Sequence, residues 1–205
     1  MIRVILVFLL FAVIHSITAA TKFKLACREI FGDSFMRVWY RAFFTAVSFI
    51  TAAVAFLCIR RTPDYAIWTA PGWLWWAMFC VQAAGSVFGS FAFEHLDAGE
   101  FLGYKQVRRY LARGEVGGNI EGLTPQELVM TGAYGIVRHP LYLAGIIIFT
   151  FNPRITVNGL TVTVLADAYF LFGVFMEERR LVGLFGEQYR EYRRRVPLMI
   201  PRFMR

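Results

Sequence analysis

Long apolar runs alternate with short basic segments along this chain. The apolar runs cover residues 2–20, 38–59, 71–93, 141–151 and 155–176. A helix needs about 20 apolar residues to cross roughly 30 Å of hydrocarbon. Four of the runs reach that length; the run at 141–151 is about half a span and ends at Asn152-Pro153, a helix breaker. Pro71 suits the first turn of the third run, and Trp73, Trp75 and Trp76 suit a membrane interface. The first run resembles a signal peptide in part. It stays apolar through Ala20 with no convincing small-residue cleavage site, so it reads as a retained first helix. The pattern predicts an all-α integral membrane protein with about five transmembrane helices. It is read as a single domain over 1–205, with three helices and a long loop in 1–128 and a helical hairpin with a tail in 129–205.

Composition agrees. The chain is 58% hydrophobic and only 18% charged, where a soluble domain carries about 25% charged residues. Aromatics at 17% exclude disorder. The net charge of +8 raises nucleic acid as a partner, but no recognition module is present, so none is expected. The basic residues follow the membrane instead. Lys22, Lys24, Arg28 and Arg37 lie in the first loop, Lys105, Arg108, Arg109, Arg113 and Arg138 in the third. Eight more, from Arg179 to Arg205, lie in the tail. The other side has Arg3, Arg60, Arg61 and Arg154. Five crossings with the N-terminus outside gather the rich segments in the cytoplasm, as the positive-inside rule requires. Cys27, Cys58 and Cys80 form no CxxC pair, which argues against a disulfide scaffold or zinc site.

Two polar clusters stand out. Tyr134-Gly135-Ile136-Val137-Arg138-His139-Pro140-Leu141-Tyr142 sits where the chain enters the membrane. By itself it reads equally well as an interfacial anchor, with a snorkelling Arg and Pro starting a helix. Glu177-Glu178 directly follows the last apolar run, and carboxylates at a membrane boundary are costly unless paired or wet. The turn at 152–154 returns both clusters to one membrane face, where they can build a cavity for a zwitterionic ligand. Behind them, Leu181, Phe185, Tyr189 and Tyr192 predict one amphipathic tail helix, lying on lipid or folding back as a lid. Glu94-His95-x-Asp97 has the residue types of a metal site. With three histidines in the chain, a polar loop at the membrane edge is the better reading, and no metal is expected.

Arg138-His139-Pro140-Leu141-Tyr142, then Glu177-Glu178, then Phe185-Gly186-x-x-Tyr189-x-x-Tyr192, then Val196-Pro197 and Ile200-Pro201 resemble the isoprenylcysteine carboxyl methyltransferase superfamily. His15-Ser16, the Arg-Arg-Val-Pro run and Phe101-Leu102-Gly103-Tyr104-Lys105-Gln106 are most similar to its NnrU and methanethiol S-methyltransferase branch. The resemblance is strongest over 129–201. It implies S-adenosylmethionine in a cytosol-facing pocket of a bacterial or archaeal inner-membrane protein. Arg138 and His139 would then contact the polar end of the cofactor and Tyr142, after Pro140, would line the site. Glu177 or Glu178 would hold the amine or ribose, backbone from Met130 to Tyr134 the adenine, and Tyr189 would close the pocket. The methyl acceptor would be small or lipophilic, a thiol of the methanethiol kind or an isoprenylcysteine-like carboxylate.

A thiol acceptor must lose its proton to become nucleophilic. His139, His15, Glu94 and His95 are the candidate bases or orienters, and Arg138 and Glu178 complete the catalytic set. His15, inside an apolar helix, reads as well as a packed, hydrogen-bonded residue. Two other readings compete: an NADPH-dependent membrane reductase of the sterol-reductase kind, for which 205 residues is short, and a non-enzymatic transport or assembly protein.

Overall fold

A computed structural model describes residues 1–93, 97–117, 120 and 127–201. These form two compact units, one from residues 2–62 with 97–117 and 120, the other from 63–93 with 127–201. Among the described residues, four helices are long and apolar enough to cross a bilayer: α1 (Ile2–Ala19), α3 (Tyr40–Arg60), α4 (Gly72–Phe91) and α9 (Val157–Phe185). Their outward faces carry exposed Leu, Ile, Phe and Val, for which lipid is the favourable solvent. The chain is an integral membrane protein, predominantly helical, with the shorter apolar helix α8 (Pro140–Thr150) added to the four. The helix boundaries fall within about two residues of the apolar runs, except that α9 continues nine residues past its run.

In the first unit α1 and α3 pack together, linked by His15 Nδ1 and Ser48 Oγ at 3.0 Å, with Phe11 and Phe44 flanking the imidazole. The first loop, expected as a basic connection, is a helix, α2 (Thr21–Val38), broken at Gly32. Cys27 and Met36 from α2 join Tyr40 and Ile120 in a small core, while the basic residues between them hide this apolar face from a hydropathy reading. The long loop also contains structure: α5 (Ala98–Phe101) and α6 (Tyr104–Arg113). Gly103 joins them at φ 82°, where a Cβ would run into the backbone of Arg41 and Ala42, so only glycine fits. Asp97 caps α5 and pairs with Lys105.

The second unit carries the hairpin. Two short strands, β1 (Ala66–Thr69) and β2 (Arg154–Thr156), pair antiparallel at one end, a ribbon the apolar pattern does not signal. There Thr156 caps α9 through the Gly159 amide at 2.9 Å, and Asp64 accepts from the Asn158 amide at 2.9 Å, satisfying donors that a helix start leaves open. Small residues then let the helices approach. A Cβ on Gly89 would stand 2.7 Å from Ala144, and one on Gly85 2.6 Å from Ile147, so the Gly85-x-x-x-Gly89 pair seats α4 against α8. Between α8 and α9, Phe170 lies over Gly145 and Tyr142 over Gly173. Polar side chains cross the same contacts, Gln82 donating to the Ile148 carbonyl at 2.6 Å and Thr150 to Asp167 at 2.8 Å.

Candidate functional site

The site grows from the end of the α8–α9 hairpin opposite the ribbon. A four-residue helix, α7 (Ala133–Ile136), leads into Arg138 and His139, and Pro140 opens α8 at the position where its missing N–H costs nothing. The 29 residues of α9 span roughly 43 Å at 1.5 Å each, more than a 30 Å hydrocarbon core needs. A bilayer takes about 20 of them, so Glu177 and Glu178 sit just past the apolar stretch. Gly186, at φ 54°, then turns the chain into α10 (Glu187–Arg195). The tail is thus two helices rather than the single amphipathic one expected. Leu181 and Phe185 belong to α9, while Tyr189 and Tyr192 are buried on α10.

The chain after α10 folds back onto the Arg138 segment. The Arg138 amide donates to the Pro197 carbonyl at 2.9 Å and the His139 amide to Leu198 at 3.3 Å. Side chains finish the closure around one carboxylate. Glu178 Oε1 accepts from Arg138 Nε at 2.9 Å, His139 Nε2 at 2.9 Å and the Tyr189 hydroxyl at 2.6 Å. Its Oε2 takes Arg138 Nη2 at 3.2 Å and Arg193 Nε at 3.0 Å. Arg138 Nη1 donates to the Val196 carbonyl at 2.6 Å and to Arg193 at 3.2 Å. The side chains of Arg138, His139 and Glu178 are 8%, 3% and 11% exposed, so the pair is desolvated and survives because every lone pair has a donor.

Glu177 is different. Its side chain is 31% exposed, and its nitrogen-bearing neighbours stand off, Arg180 at 3.6 Å and His139 Nδ1 at 3.7 Å. The Tyr142 hydroxyl lies near Glu177. Helical spacing puts Phe170, Gly173, Glu177 and Arg180 along one side of α9. Nearby, Tyr192 donates to the Tyr134 carbonyl at 2.6 Å, fastening α10 to the segment before Arg138. Burial and the Glu178 carboxylate push the Tyr189 phenol well above its ordinary range. Burial raises Tyr192, and burial with the Glu177 charge raises Tyr134. All three remain protonated at neutral pH.

The structure therefore brings together Arg138, His139, Pro140, Tyr142, Glu177, Glu178 and Tyr189, with Tyr134 bound to α10. Met130 lies in the irregular segment before α7, its carbonyl 3.4 Å from where a Gly135 Cβ would stand. His15 belongs to the other unit. Glu94 and His95 lie outside the described residues. Arg193 is the member the motif reading leaves unassigned. Its signal is its place one residue after Tyr192 on a helix whose tyrosines face inward.

A membrane-embedded helical hairpin, clasped at one end by an Arg-His-Pro segment, paired glutamates and a returning tail, defines the class to which the sequence motifs pointed. The chain belongs to the NnrU family, whose model matches residues 3–195, within the isoprenylcysteine carboxyl methyltransferase-like superfamily. It is 31% identical to Methanethiol S-methyltransferase 1 of Bradyrhizobium diazoefficiens over 96% of this chain and 65% of that protein. It is 32% identical to Methanethiol S-methyltransferase of Mycobacterium tuberculosis, over 93% of this chain and 74% of that one. Protein-S-isoprenylcysteine O-methyltransferase of Schizosaccharomyces pombe is 35% identical over 36% of this chain and 33% of its own. The chain spans 65% of the length of the Bradyrhizobium relative. No solved structure gives a significant match.

Proposed function

We propose that this protein is a membrane methyltransferase that uses S-adenosylmethionine and methylates a small thiol of the methanethiol kind. The observation that carries the reading is the contrast within the glutamate pair. Glu178 is saturated by Arg138, His139, Tyr189 and Arg193, while Glu177 beside it keeps an open carboxylate. An open carboxylate flanked by tyrosines suits the cofactor's ammonium, so these residues fit the group. In this reading Glu177, Tyr142 and Tyr134 meet the cofactor. Arg138, His139, Glu178 and Tyr189 hold the frame, and backbone from Met130 to Tyr134 is available to the adenine.

Bound S-adenosylmethionine supplies a sulfonium methyl, whose transfer leaves a neutral thioether and needs no acid. The protein's own part is alignment and exclusion of water. The backbone pairing of 138–139 with 197–198 and the Tyr192–Tyr134 bond keep α10 closed over this end of the hairpin. The relatives matching over nine-tenths of the chain carry the methanethiol name, and the isoprenylcysteine relative matches about a third, which supports sulfur over carboxylate. His15 is retained as a candidate proton acceptor for the thiol. The N-terminus is placed outside and α10 in the cytoplasm, in line with the basic segments.

Membranes containing the protein, given methyl-labelled S-adenosylmethionine, should label methanethiol in preference to a prenylcysteine analogue or a lipid extract. Purified protein should gain thermal stability from S-adenosylhomocysteine but not from NADPH, since a ligand stabilises the state it binds. Stabilisation by NADPH alone would replace this reading with the reductase.

A further inference from the structure

A cavity in the same unit shares Arg138, Glu178 and Arg193 with the clasp but not Glu177, Tyr142 or Tyr134. It is a groove of about 590 Å³ on another side of α9, lined by Leu171, Phe175, Arg179 and Val182, with Arg193 and Leu198 across from them. By helical spacing these α9 positions lie some 150° round the helix from Phe170, Gly173 and Glu177. The walls are apolar and open, Leu171 and Phe175 being 52% and 57% exposed, and they run down into the stretch of α9 that lies in lipid. The rim is basic. Arg193 spends Nε on Glu178 and has no further acceptor among the described residues, its side chain 47% exposed. The Arg179 guanidinium stacks over Phe175 at 5.3 Å from the ring centre, with no carboxylate partner among the described residues. Three arginines, counting Arg138, thus line the groove against one glutamate, whose oxygens are already satisfied.

A soluble anion would leave the apolar floor wet, and a neutral acyl chain would leave the arginines without a counter-charge. An anionic amphiphile satisfies both. We infer that the groove is a binding site for one anionic phospholipid, its phosphate between Arg179 and Arg193 and an acyl chain along Phe175 and Leu171. Basic pockets on membrane helices recognise lipid headgroups in this way. Because Arg193 sits on α10, the lipid ties that helix to the bilayer surface.

Native mass spectrometry of the full chain released from detergent tests this directly, with phosphatidylglycerol, phosphatidylcholine, glycerol phosphate and S-adenosylhomocysteine as separate additions. One phosphatidylglycerol should bind per chain at concentrations where phosphatidylcholine does not. Arg179→Gln should weaken it about fivefold, the worth of one arginine near an anionic lipid. Val182→Trp, which fills the groove from its floor, should abolish it, with both variants unfolding within about 2 °C of wild type. Equal retention of the two lipids, or no effect of Arg179→Gln, overturns the proposal. So does glycerol phosphate binding as tightly as the lipid. Displacement of the lipid by S-adenosylhomocysteine would give the groove to the cofactor, and a dimer mass in place of the lipid adduct would give it to a second copy.

Discussion

Arg138 and Glu178, forty positions apart, meet as a two-pronged ion pair, Nε to Oε1 at 2.9 Å and Nη2 to Oε2 at 3.2 Å. The fork geometry matters because the guanidinium has a donor left over. It goes to the Val196 carbonyl, so one side chain locks the hairpin end to the returning tail.

The neighbouring glutamates should therefore separate in experiment. Glu178→Ala removes the acceptor for Arg138, His139 and Tyr189 and should cost about 3 kcal/mol or more, the usual result of breaking a buried pair. Its detergent melting temperature should fall and transfer should be lost. Glu177→Gln should melt like wild type and lose stabilisation by S-adenosylhomocysteine. If the two variants behave alike in both assays, the division of labour between them is wrong.

The helix contacts predict a second effect. Gly89→Ala puts a methyl 2.7 Å from the Ala144 Cβ, which has no rotamer to escape through. Overpacking of this kind costs about 1–3 kcal/mol. Gly183→Ala, with nothing within 4 Å of the new atom, is the control and should melt no lower than wild type, because alanine favours the helix over glycine.

Tyr189 fixes a pH dependence. Burial, then its bond to Glu178, raises the phenol above its ordinary value. A raised folded value means the stabilisation is fully present below the unfolded value near 10 and is lost as pH rises through the folded one. The melting difference between wild type and Tyr189→Phe should hold constant up to about pH 10 and shrink above it.

His15 yields a sharper functional test. Its ring bonds Ser48 inside the α1–α3 pair. If it receives the thiol proton, His15→Ala should lower methyl transfer at least about a hundredfold, the lower end of the range for general-base loss, while S-adenosylhomocysteine stabilisation stays intact. Unchanged transfer would leave it a packing residue.

The apolar runs placed α1, α3, α4, α8 and α9 because lipid demands continuous apolar length, a property of local sequence. The Arg-His-Pro segment and the glutamate pair were visible for the same reason: charge beside such a run stands out. The amphipathic helix α2 was hidden, since Lys24 and Arg28 average away the face that carries Cys27 and Met36. The β1–β2 ribbon joins residues almost ninety apart and has no local mark. The break at Gly186 was missed because Leu181, Phe185, Tyr189 and Tyr192 keep helical spacing straight through it. Which glutamate would be sealed and which left open depended on where the tail returned. Hydrogen-bond donors from Arg138, His139, Tyr189 and Arg193 converge on Glu178 only in three dimensions, so that assignment belongs to the tertiary structure and not to the order of residues.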